Sequence, residues 1–187
     1  MNDYDIIIAG GGVAGLSAAL FLGRAGLSVA LFDEAESSLY RVSRVNNYLG
    51  FPDGIPGTEL LELGTRQAKR FGATIHSARI ERALPCENGF IVQSGGQEYA
   101  CARLILASNK RTDLATALGI PLGGHGGHGG RFVAVDAEGR TSVPNCYAVG
   151  RITGLPSQAI ISAGDGAKTA IAIIQQVRGT YYVDHDV

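Results

Sequence analysis

Asp5-Ile-Ile-Ile-Ala-Gly10-Gly11-Gly12-Val-Ala-Gly15-Leu-Ser-Ala-Ala19 leaves this chain few ways to fold. The β-branched run Ile6 to Ile8 reads as a buried parallel strand. Val13 to Arg24, rich in Ala and Leu, reads as a helix. Gly10-x-Gly12-x-x-Gly15 between them is the dinucleotide fingerprint in its strand–turn–helix context. Gly10 allows the tight turn, Gly12 lets the backbone approach a pyrophosphate, and Gly15 lets the helix pack close to the strand. The helix start then offers free N–H groups and a partial positive charge to phosphates. A second strand, Ser28 to Phe32, ends at Asp33-Glu34, and Asp33 lies 23 residues beyond Gly10. That is near the spacing at which an acid takes a ribose hydroxyl.

The remaining segments fit an α/β chain. Glu36 to Thr58 reads as a long irregular connection, which is usually functional or mobile. It carries Arg41, Arg44 and Asn47, and it is either a surface loop or a loop folded over a ligand. Gly57-Thr58 open a helix to about Arg70, with Leu60, Gly64, Ala68 and Phe71 at helical spacing and Gly72 as its stop. Ala73 to Arg82 reads as one strand. Phe90–Ser94 and Gln97–Cys101 flank the hairpin turn Gly95-Gly96. Arg103–Ala107 reads as a further buried strand, and regular structure is expected to lapse from Ser108 to Gly130. Gly124-x-Gly126-x-x-Gly129 repeats the glycine pattern without a clean strand before it or a helix after it. His125 and His128 make an incomplete metal site, so a flexible Gly/His loop is the better reading. Arg131–Val135 and Cys146–Val149 read as strands, and Ala159 to Val177 as a long helix. Lys168-Thr169 follows Ala167, not glycine, and reads as helix and not as a P-loop.

At 187 residues the chain is long enough for one proper core. A net charge of −1 gives no reason to expect nucleic acid or membrane as partner. No apolar run approaches a membrane span. The first residues run straight into a strand with no leader, so a cytoplasmic location is expected. Cys86, Cys101 and Cys146 form no CxxC and read as free thiols. His76, His125, His128 and His185 are scattered, and no Ser/His/Asp, paired-carboxylate or metal constellation stands out.

In this order the pieces resemble the FAD domain of the thioredoxin reductase family. The resemblance rests on Gly10-x-Gly12-x-x-Gly15 with Asp33, on Val45-Asn-Asn47-Tyr-Leu-Gly50, on Gly57-Thr-Glu-Leu-Leu61 and on Tyr99 to Ala107. It continues with Thr141-Ser-Val-Pro-Asn-Cys-Tyr-Ala-Val-Gly150 and Ser157-Gln158-Ala159-Ile-Ile-Ser-Ala-Gly164-Asp-Gly166. It implies a Rossmann-type α/β fold: a parallel sheet flanked by helices, with a small antiparallel element. It implies FAD held by Gly10, Gly12, Val13, Ala14 and Gly15 at the pyrophosphate and by Asp33 and Glu34 at the adenosine. Asn47, Gln158 and Ala159 would lie by the isoalloxazine. Arg79, Ala107, Ser108, Gly150 and Arg151 complete the implied cofactor set.

The departures from the family are local and large. Full-length reductases insert an NADPH domain with a CxxC between the two FAD segments. Here Ala107 is followed by Arg131 after 24 residues, too few for such a domain. A single FAD-binding domain, 1–187, is therefore expected, its segments 1–110 and 131–180 joined by the Gly/His loop. The family's Ala-Thr-Gly is Ala107-Ser108-Asn109, and its Gly-Asp is Gly150-Arg151. The expected function is that of a flavoprotein oxidoreductase exchanging electrons with a separate, unidentified donor and acceptor, and the expected assembly is a homodimer. The alternatives are a non-enzymatic FAD-binding module and a domain that binds NAD or another nucleotide without flavin.

Overall fold

The computed structural model describes residues 3–123 and 130–183. Gly124 to Gly129, with His125 and His128, and also His185, lie outside the described residues. The order is β1 (Tyr4–Ala9), α1 (Val13–Arg24), β2 (Val29–Phe32), α2 (Gly57–Arg70), β3 (Thr74–His76), β4 (Arg82–Cys86), β5 (Gly89–Ser94) and β6 (Gln97–Leu106). Then come α3 (Asp113–Ala117), β7 (Leu122–Gly123), β8 (Phe132–Val133), β9 (Cys146–Ala148) and α4 (Ala159–Arg178). β3, β2, β1, β6 and β9 run parallel, while β6, β5 and β4 form an antiparallel meander. The alternation β1-α1-β2-α2-β3 is the one expected of a Rossmann-type sheet, with the three long helices α1, α2 and α4 on one face.

Side-chain alternation divides the core between the two sheet faces. Ile6, Ile8, Val29 and Leu31 point to one face, where they pack against Leu16, Ala19 and Leu22 of α1, Leu60 and Leu61 of α2, and Ala170, Ile173 and Ile174 of α4. Ile7, Ala9, Ala30 and Phe32 point to the other, where Ile80, Phe90, Val92 and Leu114 cover them. The second face is thus covered by the hairpin and the short helix α3.

Three segments differ from the sequence reading. The expected strand Ala73–Arg82 is two strands. β2 has only four residues, and Ala30, Leu31 and Phe32 have paired with Thr74, Ile75 and His76 before the chain turns away. It re-enters as β4 against β5, after Ile80 has been buried on the second face. Conversely, Gln97–Cys101 and Arg103–Ala107 belong to one ten-residue strand, β6. Its first half pairs with β5 and its last three residues with β9. Between Ser108 and Gly130 the chain is not without structure. It forms α3, too short for periodicity to reveal, which buries Leu114 and Ala115, and β7, which pairs with β8. Lys168-Thr169 lies inside α4, as expected. Among the described residues no helix is long and apolar enough to cross a membrane.

Cys101 and Cys146 are buried on β6 and β9, whereas Cys86 is exposed. Burial is the leading cause that pushes both buried thiols from an ordinary 9.0 up to about 12. One thiol of the three should therefore react with a water-soluble disulfide reagent at pH 8 in the native protein, and all three in denaturant. The sign for stability follows. The folded thiols keep their protons where unfolded ones lose them, so the stability present below about pH 9 falls as pH rises toward 12. Denaturant titrations at pH 7.5 and pH 10 check this.

Candidate functional site

The chain steps from β1 outward to β2 and β3, then returns to the other side of β1 with β6. At that reversal the carboxyl ends of the strands open a crevice, the usual ligand position in such sheets. Here they are held level by main-chain bonds. Gly10 N–H donates to Phe32 O at 2.9 Å, Ala107 N–H to Ala9 O at 2.8 Å, and Val149 N–H to Leu106 O at 2.9 Å. Above them lies a cleft of about 650 Å³, within the range of small-molecule sites.

The glycines divide into those fixed by protein and one that faces the cleft. Gly10 has φ +121°, and a Cβ there would lie 2.4 Å from Ala107 O. A Cβ on Gly15 would lie 2.0 Å from Gly10 O, so α1 begins directly on the turn. A Cβ on Gly11 would strike the Asp33 carboxyl carbon at 2.3 Å, so the carboxylate of Asp33 lies over the turn. Gly12 differs. Only Ser37 Oγ, at 3.7 Å, comes within 4 Å of its added Cβ. No side chain caps α1, so its N-terminal N–H groups open toward the cleft. These features fit a pyrophosphate.

Nearly all the residues expected from the sequence meet here. Gly10, Gly12, Val13 and Ala14 line the cleft from the first turn, Asp33 and Glu34 from the end of β2, Arg79 from the segment after β3, and Ala107 and Ser108 from the end of β6. Asn47, Arg151, Gln158 and Ala159 line it as well. Asn47 Nδ2 donates to Gln158 Oε1 at 2.7 Å and so joins the loop after β2 to the start of α4. Gly15 and Gly150 do not line the cleft. Gly150 N–H donates to Asp165 Oδ2 at 2.8 Å, and Lys168 Nζ pairs with Asp165 Oδ1 at 2.9 Å.

Several lining residues were not expected. The connection after β2 is more ordered than its composition suggests. Ser38–Arg41 form a 3-10 turn, and Val45 and Ile55 make an isolated bridge. Arg44 Nη1 donates to Asp53 O at 2.6 Å and pins that loop. Among the described residues, Arg41, Lys110 and Arg151 line the cleft and have no carboxylate partner. Arg111 pairs with Glu34, with Glu36 at 3.0 Å and with Asp113 at 3.6 Å. Arg79 Nη2 donates to Asp113 Oδ2 at 2.6 Å. That hydrogen bond is the leading cause that pushes the Arg79 pKa up. The only signal for Arg111 in the sequence is an arginine soon after a strand end, which is too common to single it out. Among the described residues no group of three His, Cys, Asp or Glu side chains is placed to hold a metal.

Residues 4–108 match the model of the pyridine nucleotide-disulphide oxidoreductase family, more than half of the chain. The chain belongs to that family. Among its curated relatives, thioredoxin reductase of Chlamydia trachomatis is 33% identical over 113 residues, 58% of this chain and 36% of that protein. Thioredoxin reductase of Bacillus subtilis is 32% identical over 129 residues, 66% of this chain and 40% of that protein. The chain spans between about a fifth and two fifths of the length of the first curated relatives it matches. A thioredoxin reductase structure from Gloeobacter violaceus superposes with a TM-score of 0.83 at 20% identity, covering 100% of this chain and 99% of that one. An oxidoreductase structure from Agrobacterium tumefaciens gives 0.83 at 18% identity, covering 96% and 99%. At such identities the structural likeness concerns the fold. This member of the family is thioredoxin reductase-like, and reductases of that kind bind FAD.

The surroundings of Gly12 and Gly15 predict opposite outcomes for one added methyl. Gly15→Ala should destabilise the fold by at least about 1–3 kcal/mol, because the methyl overlaps Gly10 O. Gly12→Ala should leave thermal stability within about 0.5 kcal/mol of wild type. Paired denaturant curves without ligand test both; equal destabilisation would contradict the division.

Proposed function

We propose that this chain is a flavoprotein domain that binds FAD noncovalently and exchanges electrons with a separate partner. The uncapped α1 start, with an open approach only at Gly12, carries the reading. Gly10, Gly12, Val13 and Ala14 would hold the pyrophosphate, with Gly15 setting the helix beneath it. Asp33 and Glu34 would take the adenosine, beside Arg79, Ala107 and Ser108. Asn47, Gln158 and Ala159 would frame the isoalloxazine, and Gly150 would set the turn that presents Arg151. Bound FAD supplies the capacity to accept and donate electrons; the protein supplies position and polarity.

On this reading the segments 1–110 and 131–180 form one FAD domain. The chain as it stands, without a CxxC, would not reduce thioredoxin by itself. A second copy is our candidate cover for the isoalloxazine end, because Leu49 and Ile160, each adjacent to or near a framing amide, expose apolar side chains. The free thiols Cys86, Cys101 and Cys146 accord with a reducing, cytoplasmic setting.

The absorbance spectrum of the purified protein should be that of an oxidised flavin, and chromatography after denaturation should identify FAD. A colourless protein that stays empty after incubation with FAD would refute the proposal. Gly12→Leu should abolish binding in a folded protein, because the side chain would fill the space left for the pyrophosphate.

Arg151 lines the cleft, and its guanidinium has no ion-pair or hydrogen-bond partner among the described residues. A phosphate oxygen is the partner we assign it. A charge-assisted hydrogen bond contributes about 1.5–3 kcal/mol, so Arg151→Ala should weaken FAD binding roughly ten- to a hundredfold. Equal dissociation constants for the two proteins would remove Arg151 from the site.

A further inference from the structure

Charge is divided unevenly between the cleft and the rest of the chain. Six of the 16 basic side chains line the cleft: Arg41, Arg44, Arg79, Lys110, Arg111 and Arg151. Only three of the 17 acidic ones do, Asp33, Glu34 and Glu36. That leaves ten basic and fourteen acidic side chains elsewhere. A chain of net charge −1 therefore carries +3 in the cleft lining and −4 outside it. Glu34 and Glu36 are both held by Arg111, so they do not pair with the remaining cations.

Those remaining cations differ in depth. Arg151 is half-buried, whereas Arg41, Arg44 and Lys110 are exposed although they line the cleft, so they stand at its rim. Two belong to the connection after β2 and one to the turn after β6, so the rim is charged from two separate segments. Arg41 and Lys110 have no ion-pair or hydrogen-bond partner among the described residues. Arg44 donates one bond to Asp53 O and meets no carboxylate. A cleft lined by one sign of charge focuses its field outward and draws in bodies of the opposite sign.

We propose that this rim, Arg41, Arg44 and Lys110, is the docking surface for an acidic electron-carrier protein, one whose redox centre is bordered by carboxylates. The inference rests on the flavoprotein reading of the cleft and deepens it by giving the separate partner a chemistry. Two redox centres exchange electrons only when they come close, so the partner has to sit over the cleft mouth. There the rim offers three cations for charge-assisted hydrogen bonds and steers the approach. A nucleic acid fits less well. Its charge continues beyond the mouth, where acidic side chains outnumber basic ones. A small anion needs convergent donors in an enclosed site, whereas these three side chains are exposed.

The probe is an acidic 2Fe–2S ferredoxin, mixed with the full chain with and without its flavin. A water-soluble carbodiimide joins amines to carboxylates that touch them, and besides its N-terminus the chain offers three lysines, Lys69, Lys110 and Lys168. Coupling should fall on Lys110. Lys69 is exposed on α2 away from the cleft, and Lys168 is paired with Asp165, so these two act as internal controls. Binding followed by calorimetry should weaken at least about tenfold between roughly 0.05 M and 0.5 M salt. Arg41→Gln combined with Lys110→Gln should weaken it about tenfold at the lower salt and leave FAD content unchanged; Arg44 is kept because it pins its loop. Should the pair fail to fold, Lys110→Gln alone carries the test, with a loss of about threefold. Coupling confined to Lys69 or Lys168, binding that is absent or insensitive to salt, or unchanged binding in a folded variant would overturn the proposal. So would loss of FAD from a folded variant, which would return the rim cations to the cofactor. A chain that docks the ferredoxin but takes up no FAD would instead count against the flavoprotein reading.

Discussion

The contact between the carbonyl of Gly10 and the α-carbon of Gly15 is the one on which the rest of the structure depends. With no room for a methyl between them, α1 starts where β1 stops, and the helix lies against the sheet from its first turn. That placement points the free N–H groups of α1 across the strand ends. It also sets the line along which α4 crosses α1, where a Cβ on Gly166 would lie 2.1 Å from Ala14 O. Helix packing this close is available only where small residues meet. The buried Ala14, Ala18 and Ala19 of α1 and Ala163 and Ala170 of α4 supply them.

Much of this was legible in the sequence because it is local. The glycine spacing, the acid at Asp33, the caps of α2 and the Gly95-Gly96 turn each depend on a few consecutive residues, and each stands where expected. Asn47, Gln158 and Arg151 were reached by resemblance, and the structure brings them into the same cleft. Their pairing could not be read, because Asn47 and Gln158 are 111 residues apart. Arg111 was missed for the same reason. Its partners come from the segment after β2 and from α3, and Arg79 joins from a third segment, so the cluster exists only after three crossovers have been completed.

Element boundaries failed where pairing, and not propensity, decides. The run from Ala73 to Arg82 contains nothing that forbids a continuous strand. It breaks because the short strand β2 offers no further partners and because Ile80 is needed beneath the hairpin. The ten residues of β6 hold together for the opposite reason. β1 runs alongside from Tyr4↔Cys101 to Ala9↔Leu106, so the strand continues straight while its other edge changes partner.

The short pairing of β7 with β8 has a topological consequence. Gly123 stands opposite Phe132, and Leu122 opposite Val133, so the two ends of the intervening chain are already brought together by the folded body. The entropy of closing such a loop grows only with the logarithm of its length, roughly 0.6 kcal/mol for each doubling. A neck of this kind makes the domain nearly indifferent to how much polypeptide it emits at that point. Evolution can lengthen or shorten the excursion there while the sheet, the cleft and the helix over it keep their register.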